Sequence, residues 1–183
     1  EFKTFNEDYI VNDFGNAHNI AINTSSGFAY ILGSALYEGG PVFYDISIPE
    51  QPILRGGFSD TSYIHDAQII TYKGEDQNYF GKEILLGSNS DGGETNQLII
   101  LDVTEKTNPE LISTISYSYG GYTHQGWIDE SHRYFYLGDE LDELRYGNKT
   151  RIISFDLKDL NLRANYLHLV LLNLYANQSK HTF

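Results

Sequence analysis

Three histidines each open an apolar run in this chain: His18-Asn19-Ile20-Ala21, His65-Asp66-Ala67-Gln68 and His124-Gln125-Gly126-Trp127. They stand 47 and 59 residues apart. Imidazole donates and accepts hydrogen bonds, ligates transition metals and titrates near neutrality. Brought to one place, the three would hold a polar ligand or a metal, with Asp66 and Gln125 as further contacts. The competing role is structural. A histidine in every copy of a repeat can bond its neighbour's backbone and fix register, and recurrence in each copy favours that role. His132, His168 and His181 fall outside the pattern.

Acidic stretches offer a second chemistry. Asp139, Glu140, Asp142 and Glu143 cluster after Gly138, and Asp91 and Glu94 lie in Asn89-Ser90-Asp91-Gly92-Gly93-Glu94. Hard cations take six to eight oxygen ligands, so Ca²⁺ is the cofactor these loops would hold, the alternative being a solvated acidic surface. The Asn89 stretch lacks the alternating acids and distal glutamate of an EF-hand. Asp139 and Asp142, beside Glu140 and Glu143, could also supply the paired carboxylates of a glycosidase. No Gly-x-Ser-x-Gly elbow, phosphate-binding glycine loop or His-Glu-x-x-His occurs. The balance leans away from an enzyme.

The elements that would position these residues repeat with them. Behind each histidine comes a second apolar run ending at Gly33, Gly87 or Gly138, then a third closing on Asp45, Asp102 or Asp156. The glycines are spaced by 54 and 51 residues and the aspartates by 57 and 54. A period near 50 residues with several short strands per copy predicts propeller blades. The first copy divides into strands at His18 to Asn23, Phe28 to Gly33, Pro41 to Ile46 and Ile53 to Phe58. Each closing aspartate is expected to accept backbone N–H bonds in the following turn, where Pro49, Pro52 or Pro109 breaks the ladder. The expected fold is all-β and propeller-like: about three four-stranded blades, at 16–62, 63–121 and 122–161, of a larger or incomplete propeller. Lys73 to Lys82 and Ser88 to Asn96 read as insertions in the second copy. Residues 162–183 form a Leu-rich tail unlike the repeat, an atypical cap or truncated fourth strand, in which Tyr166 to Leu174 suits a strand or a short helix.

Composition narrows the partners. A net charge of -13 argues against nucleic acid and anionic membrane surfaces. No cysteine is present, so neither disulfides nor thiol chemistry is available. The lack of methionine, even at position 1, is expected of a processed product or an excised piece. No run reaches the roughly 20 apolar residues that span a bilayer.

Leu98-Ile99-Ile100-Leu101-Asp102 looks like an LVIVD repeat, with Val42 to Asp45 and Ile152 to Asp156 as variants. Together with His65-Asp66-Ala67-Gln68, His124-Gln125-Gly126-Trp127 and Gly138 to Glu143, residues 15 to 160 resemble the choice-of-anchor B domain. The resemblance implies a bacterial exported or surface-attached propeller-like domain and brings no catalytic residues with it. The expected function is an extracellular or cell-surface binding module for a protein or glycan, with further blades or a partner chain covering its open edges. The alternative is a hydrolase acting on an extracellular polymer through the loop carboxylates.

Overall fold

The computed structural model describes residues 3, 4 and 6–161, and the backbone of Tyr166–Val170. The fold is all-β, built from three four-stranded antiparallel sheets. The first comprises β1 (Asn19–Asn23), β2 (Phe28–Leu32), β3 (Val42–Asp45) and β4 (Ile53–Gly57). The second comprises β5 (Ile64–Thr71), β6 (Glu83–Ser90), β7 (Asn96–Asp102) and β8 (Glu110–Ser116). The third comprises β9 (Thr123–Ile128), β10 (Tyr134–Asp139), β11 (Ile152–Asp156) and β12 (Tyr166–Val170). Strands follow one another in chain order within every sheet. Of the Leu-rich tail, Tyr166–Val170 is the outer strand of the third sheet; 162–165 and 171–183 lie outside the described residues. Among the described residues no helix is long and apolar enough to cross a membrane.

Each aspartate closes its third strand in the same way. Asp45 Oδ1 accepts from the Ser47 N–H at 3.0 Å, Asp102 Oδ1 from Thr104 at 3.0 Å, and Asp156 Oδ1 from Lys158 at 3.0 Å. This two-residue Asx turn needs nothing from the rest of the fold. Each carboxylate also meets a cation: Arg55, Lys82 and Arg133 respectively.

Strand pairing anchored on these aspartates revises the glycine register. Asp45, Asp102 and Asp156 pair with Phe28, Ile84 and Tyr134. Five residues further along β2, β6 and β10, the equivalent positions are therefore Gly33, Asn89 and Asp139, so Gly87 and Gly138 are not counterparts of Gly33. The same pairing places the histidines in register. Phe28 and Ile84 oppose Asn23 and Ile70, and Phe135 opposes Ile128; each histidine lies four residues before Ile22, Ile69 or Ile128. Ser88 to Asn96 is likewise no insertion. Ser88, Asn89 and Ser90 pair with Leu98, Gln97 and Asn96, which extends both strands and leaves a short loop.

The sheets stack face to face. Tyr30, Leu32 and Phe43 of the first sheet pack on Ile69, Leu85, Ile99 and Leu101 of the second. The opposite face of the second, with Ile84, Leu86, Leu98 and Ile100, packs on Phe135, Leu137, Ile153 and Phe155 of the third. Each such buried side chain contributes about 1.5–3 kcal/mol. Polar ties reinforce both interfaces. Glu83 accepts from Asn23 Nδ2 at 2.6 Å and pairs with Lys106 at 2.7 Å, while Tyr72 donates to the Leu157 carbonyl at 3.1 Å. The first strands β1, β5 and β9 lie side by side, with Asn19 Nδ2 donating to Asp66 Oδ1 at 2.7 Å and the Ile128 N–H to Gln68 Oε1 at 2.7 Å.

Candidate functional site

At the leading ends of β1, β5 and β9 the three histidines form a row. His18 and His65 have ring centroids 4.0 Å apart, and His65 and His124 4.4 Å apart. His18 is exposed, His65 is buried and His124 is partly exposed. His65 Nδ1 lies 2.8 Å from the His124 carbonyl oxygen. A carbonyl only accepts, so Nδ1 carries the proton and Nε2 of the neutral ring is left as an acceptor. One interaction thus ties two sheets together and sets the tautomer of the central imidazole.

Two tyrosines frame the row. Tyr63 lies 6.3 Å from His65 and 6.2 Å from His18, and Tyr122 meets His65 edge-on at 5.3 Å. Glu140 Oε2 approaches His124 Nδ1 to 3.2 Å, outside hydrogen-bonding alignment, and that nitrogen has no hydrogen-bond partner. Burial pushes the His65 pKa below its usual value, and the neighbouring His18 and His124 push the same way. Burial also raises the Tyr63 and Tyr122 phenols. Asp66 is raised as well, again through burial. These shifts favour the neutral forms of His65, Tyr63 and Tyr122, rings that both donate and accept, with the Glu140 carboxylate beside them at His124.

The equivalent positions Gly33, Asn89 and Asp139 build this patch. A Cβ on Gly33 would come within 2.8 Å of His18 Cβ and 2.9 Å of the Tyr63 ring, and its φ of +66° disfavours other residues. Asn89 Nδ2 donates to the Thr61 and Tyr63 carbonyls at 2.5 and 2.8 Å, fixing the loop that carries Tyr63. Asp139 does the corresponding work with reversed polarity. Its carboxylate accepts from the Gly121 and Tyr122 N–H groups at 2.8 and 2.9 Å, the Tyr117 hydroxyl at 2.7 Å, and the Leu141 and Asp142 N–H groups at 3.0 and 2.8 Å.

The other candidates are dispersed. Gln125 is exposed and faces away from the row, lining a cleft with Asp66, Trp127 and Tyr136. Asp91 caps its own loop through the Gly93 and Thr95 N–H groups at 2.7 and 3.1 Å, and Glu94 is exposed. Asp142 begins a short helix, α1 (Asp142–Tyr146), and is buried in an ion pair with Arg151. Asp139 and Asp142 therefore already serve internal partners. Among the described residues, no group of three or more His, Cys, Asp or Glu side chains is arranged to hold a metal ion. The histidine rings are tilted to one another, by 42° between His18 and His65 and 37° between His65 and His124. Sequence reasoning missed Tyr63 and Tyr122. The available signal was Tyr-x-His, present as Tyr63-Ile64-His65 and Tyr122-Thr123-His124. No family model and no curated protein matches this chain.

Proposed function

We propose that this chain is an extracellular or cell-surface binding module whose three sheets are blades of a β-propeller. Its ligand sits over the row formed by His18, His65 and His124. The observation that carries this reading is the meeting of equivalent histidines from three sheets, framed by Tyr63 and Tyr122. Register alone asks for one bond per interface, as His65 makes; it does not ask for two tyrosines around the rings.

Of the expected ligand classes, a glycan fits this chemistry better than a protein. Neutral imidazole and phenol groups match the donor and acceptor character of sugar hydroxyls, and their faces suit the apolar side of a pyranose. The net charge of -13 directs the preference to neutral or basic sugars. The polymer-hydrolase alternative draws no support from Asp139 and Asp142, whose oxygens are engaged with backbone donors and Arg151.

The test is a panel of neutral, amino and acidic oligosaccharides applied to the wild-type chain and to His124→Ala and Tyr63→Phe, with folding checked by circular dichroism. Binding to neutral or amino sugars that weakens at least tenfold in His124→Ala supports the assignment. Binding that both variants retain in full removes the site from this row.

A further inference from the structure

The sheet stack obeys one rule at both of its interfaces, and that rule leaves two matching ends. Let the leading face of each sheet be the one carrying Ile22, Ile69 or Ile128, and the trailing face the opposite one. The trailing face of the first sheet packs on the leading face of the second, and the trailing face of the second on the leading face of the third. Inside the stack the leading isoleucines are covered: Ile69 is 8% exposed and Ile128 4%. Their counterpart in the first sheet, Ile22, is 52% exposed, with Ile20 beside it at 55%. Val11 and Phe14 cover only the outer part of that face, over Ala29, Ile31, Val42 and Tyr44.

The other end mirrors this. Trp127 and Tyr136 pair across β9 and β10 on the trailing face of the third sheet. The first-sheet counterparts of this pair, Ala21 and Tyr30, belong to the apolar contact with the second sheet. Trp127 is instead 69% exposed and Tyr136 42%, beside a cleft of about 490 Å³.

We infer that the occupant of this face is a second copy of the chain, bound head to tail, with Trp127 of each copy over Ile20 and Ile22 of the other. Continuity with the two interfaces already built argues for this occupant, because the exposed ends are the two halves of that same interface. A heterologous contact either closes into a ring or grows as a filament. Two copies of the 183-residue chain bring together six of the described sheets, within the 4 to 8 blades of closed propellers, so a ring of this chain closes at a dimer. This inference rests on the propeller reading above.

The test is sedimentation velocity of the 183-residue chain at 1 to 100 μM, with Ile22→Asp and Trp127→Asp separately and mixed. Both side chains are more than half exposed, so the variants should fold; circular dichroism and urea unfolding check this, with Trp127→Ala as the milder substitute. The expected result is a wild-type mass of twice 20.8 kDa. Each variant alone should be monomeric, and an equimolar mixture should recover a dimer, since one of its two junctions then joins a wild-type Trp127 to a wild-type Ile22. A wild-type monomer at 100 μM, a filament, or a dimer indifferent to Ile22→Asp would overturn the inference. A monomer that still binds sugars through His124 would leave the proposed function standing. A dimer without any such binding would count against the site alone.

Discussion

Asp139→Asn separates a structural carboxylate from a ligand-holding one. In the wild type, Oδ1 accepts three backbone N–H bonds, from Tyr122, Leu141 and Asp142, and Oδ2 accepts from the Tyr117 hydroxyl and the Gly121 N–H. An asparagine keeps one oxygen for the first set and turns an amide NH₂ toward the second. The Tyr117 hydroxyl can rotate toward Thr123 Oγ1, 2.9 Å away, but the Gly121 N–H faces another donor. Hydrogen bonds to charged groups contribute about 1.5–3 kcal/mol each, and a buried donor left unsatisfied costs about 1–3 kcal/mol. The expected loss of stability is therefore about 2–4 kcal/mol in calcium-free buffer. For a chain of this size that lowers Tm by roughly 4 to 16 °C. Urea unfolding measures it, with Glu140→Gln, an exposed neighbour, as a control expected to change by less than about 0.5 kcal/mol. If Asp139→Asn costs less than about 0.5 kcal/mol while removing a calcium-dependent rise in stability, the carboxylate is a cation ligand and this account of it is wrong.

Two further perturbations probe the elements that hold the site. Burial holds His65 below its ordinary pKa of 6.5, with His18 and His124 adding to the effect and the His124 carbonyl and Glu140 opposing it. Between its folded value and 6.5 the unfolded chain binds more protons, so stability rises with pH there and is lost as the pH falls below about 6.5. His132 is lowered by burial and Lys73 and acts in the same direction. His65→Asn keeps a donor for the His124 carbonyl without titrating, and should remove up to about 1.4 kcal/mol per pH unit from the slope of urea stability between pH 5 and 7; an unchanged slope would show that His65 does not titrate as described. Lys106→Met strands the buried carboxylate of Glu83 at the first sheet interface and should cost about 3–5 kcal/mol, whereas the double change with Glu83→Gln should recover much of that loss. Additive effects in that double-mutant cycle would mean that the two charges are not coupled.

The sequence by itself determined what depends on local geometry and on period. An aspartate that closes a strand and caps the second following N–H needs only its own turn, so the roles of Asp45, Asp102 and Asp156 could be read from spacing alone. The histidine positions were legible for a related reason, since one copy of a repeat predicts the next. The strands of the first sheet likewise fall where alternation and turn residues place them. The glycines misled because a glycine after an apolar run marks a break in side-chain pattern, whereas register is set by hydrogen bonds to the partner strand. Pairing put Asn89 and Asp139, not Gly87 and Gly138, opposite the role of Gly33. The fate of Asp139 and Asp142 was likewise invisible. A run of carboxylates reads as a loop awaiting a cation until the fold brings to them the Gly121 and Tyr122 amides, from the loop before β9, and the Arg151 guanidinium, from the segment before β11. Only the tertiary structure could also decide that the imidazoles meet in one row of tilted rings and that Trp127 stands uncovered. Both facts follow from how whole sheets stack, and stacking is fixed by apolar faces whose partners lie some fifty residues away in sequence.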